Sequence, residues 1–104
     1  MENRNDIVLK LPKAALLEQA AEEAAELVQA CLKLARIYRG ENPTPVTEEK
    51  AIANVEEEAA DVYLCMCALD EAKCAKVYFD DCCDRMYAKL DRWVQRLEDA
   101  AHEN

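Results

Sequence analysis

Glu22-Glu23-Ala24-Ala25-Glu26-Leu27-Val28 and Glu57-Glu58-Ala59-Ala60-Asp61-Val62-Tyr63 are two versions of one phrase, set 35 residues apart. Each puts three carboxylates within about one turn if its segment is helical. The flanking apolar residues say that it is. Around the first phrase Leu17, Ala20, Ala24, Leu27, Cys31, Leu34 and Tyr38 alternate spacings of three and four. Ile52, Val55, Ala59, Val62, Met66 and Leu69 do the same around the second, and Cys83, Met86, Leu90, Trp93, Leu97 and Ala100 form a third stripe. Such stripes mark helices packed at shallow angles, and no stretch shows the sustained alternation of a strand. The expected fold is all-α, an antiparallel bundle of three principal helices over roughly residues 12–39, 48–70 and 76–101, completed by oligomerisation.

The breaks between these helices are chemically marked. Pro12 suits a first helical turn, where its missing N–H is no loss. Gly40 closes the first helix, and Pro43 and Pro45 stop it from running on. Thr47, followed by Glu48 and Glu49, makes a good N-terminus for the second helix and, with Lys50, half a capping box. A softer break spans Leu69 to Lys76. Residues 1–11 and 102–104 are expected to be loosely held.

A chain of 104 residues holds one domain, here 1–104, and a single Gly with three Pro fits an ordered helical protein. The net charge of −9 excludes a nucleic-acid backbone or an anionic membrane as the main partner. A phosphate ligand stays within reach if a metal first neutralises its site. The longest apolar run, Val62 to Leu69, is too short to span a bilayer, and the polar Met1-Glu2-Asn3-Arg4-Asn5-Asp6 start lacks a secretory layout. The expected location is the cytoplasm. Six cysteines, none in a Cys-x-x-Cys pair, read as free thiols packed as small hydrophobes in a reducing compartment.

Turning each helix by about 100° per residue places Glu23 beside Glu26, and Glu58 beside Asp61. Glu22 and Glu57 hold equivalent places, as do Gln19 and Asn54 one turn earlier. Two antiparallel helices related by a local pseudo-twofold can therefore aim matching oxygens at one centre, suited to a hard divalent cation such as Mg2+. The competing reading is a pair of solvated helix faces, since Glu and Ala are strong helix formers. Against it, Ala30, Ile37 and Cys65 interrupt the acidic stripe. The residues four positions after Glu22, Glu23, Glu57 and Glu58 are Glu26, Leu27, Asp61 and Val62, so no lysine pairs with these acids.

Glu22-Glu23-x-x-Glu26 on one helix and Glu58-x-x-Asp61 on the next resemble the MazG-like all-α nucleoside triphosphate pyrophosphohydrolases. The resemblance covers roughly residues 14 to 97 and includes the basic stretch Lys89-x-x-Arg92-Trp93-x-x-Arg96. It implies a Mg2+-dependent enzyme, with Mn2+ as a substitute, that splits nucleoside or deoxynucleoside triphosphates between the α and β phosphates. It implies Glu23, Glu26, Glu58 and Asp61 as metal ligands, and Glu22 and Glu57 as further ligands or holders of the attacking water. Some relatives carry a lysine where this chain has Asn54, which weakens any phosphate contact there.

Gln19, Asn54, Lys89, Arg92 and Tyr63 are the candidate substrate contacts. Arg offers a planar fork for two phosphate oxygens, whereas the plain alternative for these bases is surface pairing with Asp91, Glu98 or Asp99. Tyr63 is a candidate for stacking on a base. Trp93, on the third stripe, is expected in a core or a subunit interface. A homodimer or homotetramer is expected, because three Ala-rich helices enclose little core alone.

Rival readings are a non-catalytic helical interaction module and a degenerate relative that binds nucleotide without hydrolysing it. A di-iron carboxylate protein would need Glu-x-x-His pairs, and an EF-hand its twelve-residue loop; neither is present.

Overall fold

The structure, a computed structural model, describes residues 4–41 and 46–103. It contains four helices, α1 (Arg4–Leu9), α2 (Lys13–Tyr38), α3 (Glu48–Glu71) and α4 (Phe79–His102), and no strand among the described residues. The all-α expectation and the three principal helices stand, with ends that move by no more than three residues. Pro43 and Pro45, read as helix breakers, lie outside the described residues.

The ends follow from local chemistry. Pro12 sits just before α2 and its carbonyl accepts the Leu16 N–H at 3.1 Å. At the far end Gly40 takes φ +71°, and the N–H groups of Gly40 and Glu41 reach back to the carbonyls of Ile37 and Arg36 at 3.0 and 2.9 Å. This is a Schellman closure, which requires a left-handed residue that glycine adopts without strain. Thr47 caps α3 as expected, its Oγ1 accepting the Lys50 N–H at 3.2 Å. The C-terminus of α3 repeats the Schellman pattern, with Cys74 N–H bonded to the Leu69 carbonyl at 2.9 Å. Here the left-handed position falls to Lys73, at φ 59°. Asp80 and Asp81 favour the positive end of α4.

α2 and α3 form an antiparallel pair. Leu16 and Ala20 of α2 meet Leu69 of α3 in a buried cluster, against which Cys65, Met66, Ala68, Ala72, Cys74 and Val77 pack. Ala30 and Ala51 are buried as well. The face that α2 turns to α3 runs through Leu16, Ala20, Glu23, Leu27, Ala30 and Leu34, one flank of the broad apolar stripe. Leu17, Ala24, Cys31 and Tyr38, on the other flank, stay exposed. A single neighbouring helix covers only part of a stripe this wide.

Two other expectations change. Arg4–Leu9 forms α1, in a stretch for which composition alone predicts a loosely held terminus; Val8 and Leu9 lie beside Leu64 and Ala68 of α3. α4 does not complete a three-helix bundle, because among the described residues it packs on no other helix. Trp93 is therefore not in a core within one chain. The thiols are divided: Cys65 and Cys74 pack on the core, whereas Cys31 and Cys67 are exposed. Among the described residues no helix is long and apolar enough to cross a membrane.

Lys73 supplies a test of this account. A side chain in the left-handed region costs about 1 kcal/mol that glycine avoids. Lys73→Gly is expected to raise the melting temperature by about 4 °C, read by circular dichroism.

Candidate metal centre

Two glutamates sit where a helix pair usually places leucine. Glu23 is one turn beyond Ala20, and Glu58 is two turns beyond Ala51, so both lie along the faces that α2 and α3 turn to each other. Both residues are half-buried. The Oε2 atoms of Glu23 and Glu58 are buried without a hydrogen-bond partner. Glu26 and Asp61 stand about 60° further round their helices and are exposed at the edge of the seam. One carboxylate oxygen from each of Glu23, Glu26, Glu58 and Asp61 lies within 4.8 Å of all the others.

A neutral group, Gln19, relieves part of this crowding. Gln19 Nε2 donates to Glu23 Oε1 at 2.8 Å. Burial nevertheless holds the Glu23 carboxyl above its ordinary range, helped by the charges of Glu26 and Asp61 and opposed by the Gln19 bond. Glu26 is also raised, first by a hydrogen bond with Glu58 and by the charge of Glu58, then by burial. The charges acting on both groups are carboxylates, with no basic side chain among them. The pairings run in opposite directions along the two helices, Glu23 with Asp61 and Glu26 with Glu58, as an antiparallel pseudo-twofold requires.

The remaining candidates fall into three sets. Glu22 and Glu57 are exposed next to the group without belonging to it. Gln19 bonds Glu23, and Asn54, half-buried, holds the equivalent place one turn before Glu58. Tyr63, two residues past Asp61, is about 200° around α3 and fully on the opposite side. Lys89, Arg92 and Arg96 line an open concavity along α4 with Trp93, and within one chain they are not brought to the carboxylates.

One residue at the site was read from the sequence only as an apolar interruption of the acidic stripe. Cys65, one turn past Asp61, is half-buried on the core side of the group. Burial, then the charges of Glu23 and Asp61, push its thiol up. Its position four residues after Asp61 is the signal that marks it.

The donor set fits a hard divalent cation. Its ligands are all anionic oxygens, and two buried oxygens have no other partner. No protein-family model, curated protein or solved structure matches the chain.

The raised carboxyls give stability a pH dependence of known sign. Glu23 and Glu26 bind protons more tightly folded than unfolded. Their contribution is complete below the ordinary value of 4.5 and is lost as pH rises through the folded values. Without divalent metal, Glu23→Gln is therefore expected to melt above wild type at pH 7, with a gap that closes toward pH 4. Millimolar Mg2+ should raise wild type and leave the variant almost unmoved. A wild-type melting curve indifferent to both pH and Mg2+ would count against a preformed cluster.

Proposed function

We propose that this chain is a Mg2+-dependent nucleotide pyrophosphohydrolase. The observation that carries the proposal is the placement of Glu23 and Glu58 on the two sides of the α2–α3 seam, each with a buried, unpartnered oxygen. Helix packing gains nothing from such a pair, since a buried charge is unfavourable unless it is paired or binds metal. The motif resemblance to MazG-like enzymes names the chemistry that the geometry leaves open.

In this reading Glu23, Glu26, Glu58 and Asp61 hold the divalent cation, Mg2+ or Mn2+. The chemistry Mg2+ supplies when bound is neutralisation of the phosphate oxygens that would otherwise repel these carboxylates. Glu22 and Glu57, exposed at the rim, are placed to orient water and accept its proton. The water oxygen bonds to the α phosphorus, the bond to the α–β bridging oxygen breaks, and pyrophosphate leaves with the monophosphate as second product. Gln19 keeps Glu23 in its rotamer, and Asn54 serves Glu58 from the equivalent turn. The substrate is a nucleoside or deoxynucleoside triphosphate, in a cytoplasmic homodimer or homotetramer.

A second reading, a non-catalytic helical interaction module, draws on the uncovered apolar face of α4. Product analysis over a panel of NTPs and dNTPs separates the two. Monophosphate with pyrophosphate, formed only when Mg2+ is present, is the expected result. Glu58→Gln should lower turnover at least a hundredfold while the helical signal stays intact. Orthophosphate as first product would place cleavage elsewhere, and no turnover by folded protein would favour the interaction module.

A further inference from the structure

Two of the six thiols share one cavity. Cys67 of α3 and Cys82, in the first turn of α4, both open into a space of about 450 Å3 between the two helices. Tyr63, Met66 and Cys67 form its α3 wall, and Phe79, Cys82 and Met86 its α4 wall. Each wall is one face of its helix, because residues three and four apart stand together.

The two thiols are level with each other. Cys67 lies four residues before the end of α3 at Glu71, and Cys82 three residues after the start of α4 at Phe79. One turn further from the link, the same register sets Tyr63 opposite Met86. Contacts to the link hold both sulfurs on its side of the cavity. The Cys82 thiol donates to the Lys76 carbonyl at 3.7 Å. Cys67 meets the Tyr78 hydroxyl: the charge of the ionised sulfur, and then a hydrogen bond between the two groups, hold that hydroxyl above its ordinary value. The other thiols stand elsewhere. Cys65 and Cys74 pack on the Leu16–Leu69 core, Cys83 faces the concavity along α4, and Cys31 is exposed on α2.

Only the cavity keeps the pair apart. No Cα of α4 comes within 8 Å of a Cα of α3, whereas a disulfide holds its Cα atoms no more than about 6.8 Å apart. A bridge therefore requires α4 to close on α3. α4 packs on no other helix, so its approach breaks no helix packing, and it buries the apolar walls of the cavity. We propose that Cys67 and Cys82 are a reversible dithiol–disulfide pair, whose bridge pins α4 against the outer face of α3.

The co-reactant is a low-molecular-weight disulfide of the glutathione class. Cys67 is the exposed thiol and reacts first. Its proton goes to water, its sulfur bonds to one sulfur of the reagent, and the other sulfur leaves as a thiolate that takes up a proton. Cys82 then gives up its own proton and attacks the Cys67 sulfur, which forms the internal bridge and releases the second thiol. Two cysteines are oxidised, and one reagent disulfide is reduced to two thiols. Excess reagent thiol runs both steps backward. The exchange uses none of the carboxylates, so the inference stands apart from the proposed hydrolysis.

The test is oxidation of the full chain by glutathione disulfide over a series of ratios to glutathione. Wild type should lose the mass of two hydrogens while staying one covalent chain, and fragmentation should join Cys67 to Cys82. Trp93, the only tryptophan, shares the face of Cys82 and Met86 and is 59% exposed. Its emission should move to the blue in the bridged chain and return with reductant. Cys82→Ser should halt at the mixed disulfide on Cys67, and Cys67→Ser should lower bridge formation at least ~tenfold. Cys65→Ser and Cys83→Ser should bridge as wild type does. An internal bridge that persists in Cys67→Ser or Cys82→Ser overturns the inference. So does a bridge between two chains, a wild type that takes up glutathione alone, or a bridged chain with unmoved Trp93 emission. Should a serine variant lose its helical signal, the residues joined in wild type decide alone.

Discussion

Two carboxylates placed on the mutual packing faces of α2 and α3 constrain everything else in this molecule. Glu23 and Glu58 stand where two antiparallel helices would otherwise interlock apolar side chains. The seam is therefore dry and apolar at the Leu16–Leu69 end and anionic in its middle. Burial raises the carboxyl of Glu23, and the neighbouring Glu58 raises that of Glu26, so the folded chain favours either protons or a cation there. Gln19 satisfies one oxygen of Glu23.

The same substitution of acids for leucines thins the core. Buried apolar residues within the chain are few and small, with Ala20, Ala30 and Ala51 among them. Small residues let the helices approach closely but bury little area, and hydrophobic stabilisation scales with that area. Apolar faces on the hairpin and on α4 are left exposed. The carboxylate cluster and the exposed Leu17, Val28 and Tyr63 thus occupy opposite sides of one helix pair.

How far the sequence reaches can be seen in particular residues. Helix positions were legible because apolar spacing, Thr47 and Gly40 act locally, within a turn or two of the chain. The four carboxylates were legible as a group because the repeat is internal, and an antiparallel pair related by a pseudo-twofold brings Glu23 to Asp61 and Glu26 to Glu58. Lys73 was not, since a left-handed lysine is chosen by the closure of α3 rather than by its own preference. Nor was the side of α2 that faces α3. Leu16 and Leu17 are about 100° apart on one broad stripe, and only the neighbour decides which is covered.

By itself, then, the sequence determined the helices, their ends and the identity of the clustered acids, all properties of short-range backbone chemistry and helical period. Only the tertiary structure decided that Glu23 and Glu58 turn into the seam while Glu22 and Glu57 face water, that Tyr63 stands on the far side, and that α4 leaves the pair. These depend on which flank of each stripe meets another helix. That choice is settled by area buried between elements distant in the chain, which no local pattern encodes.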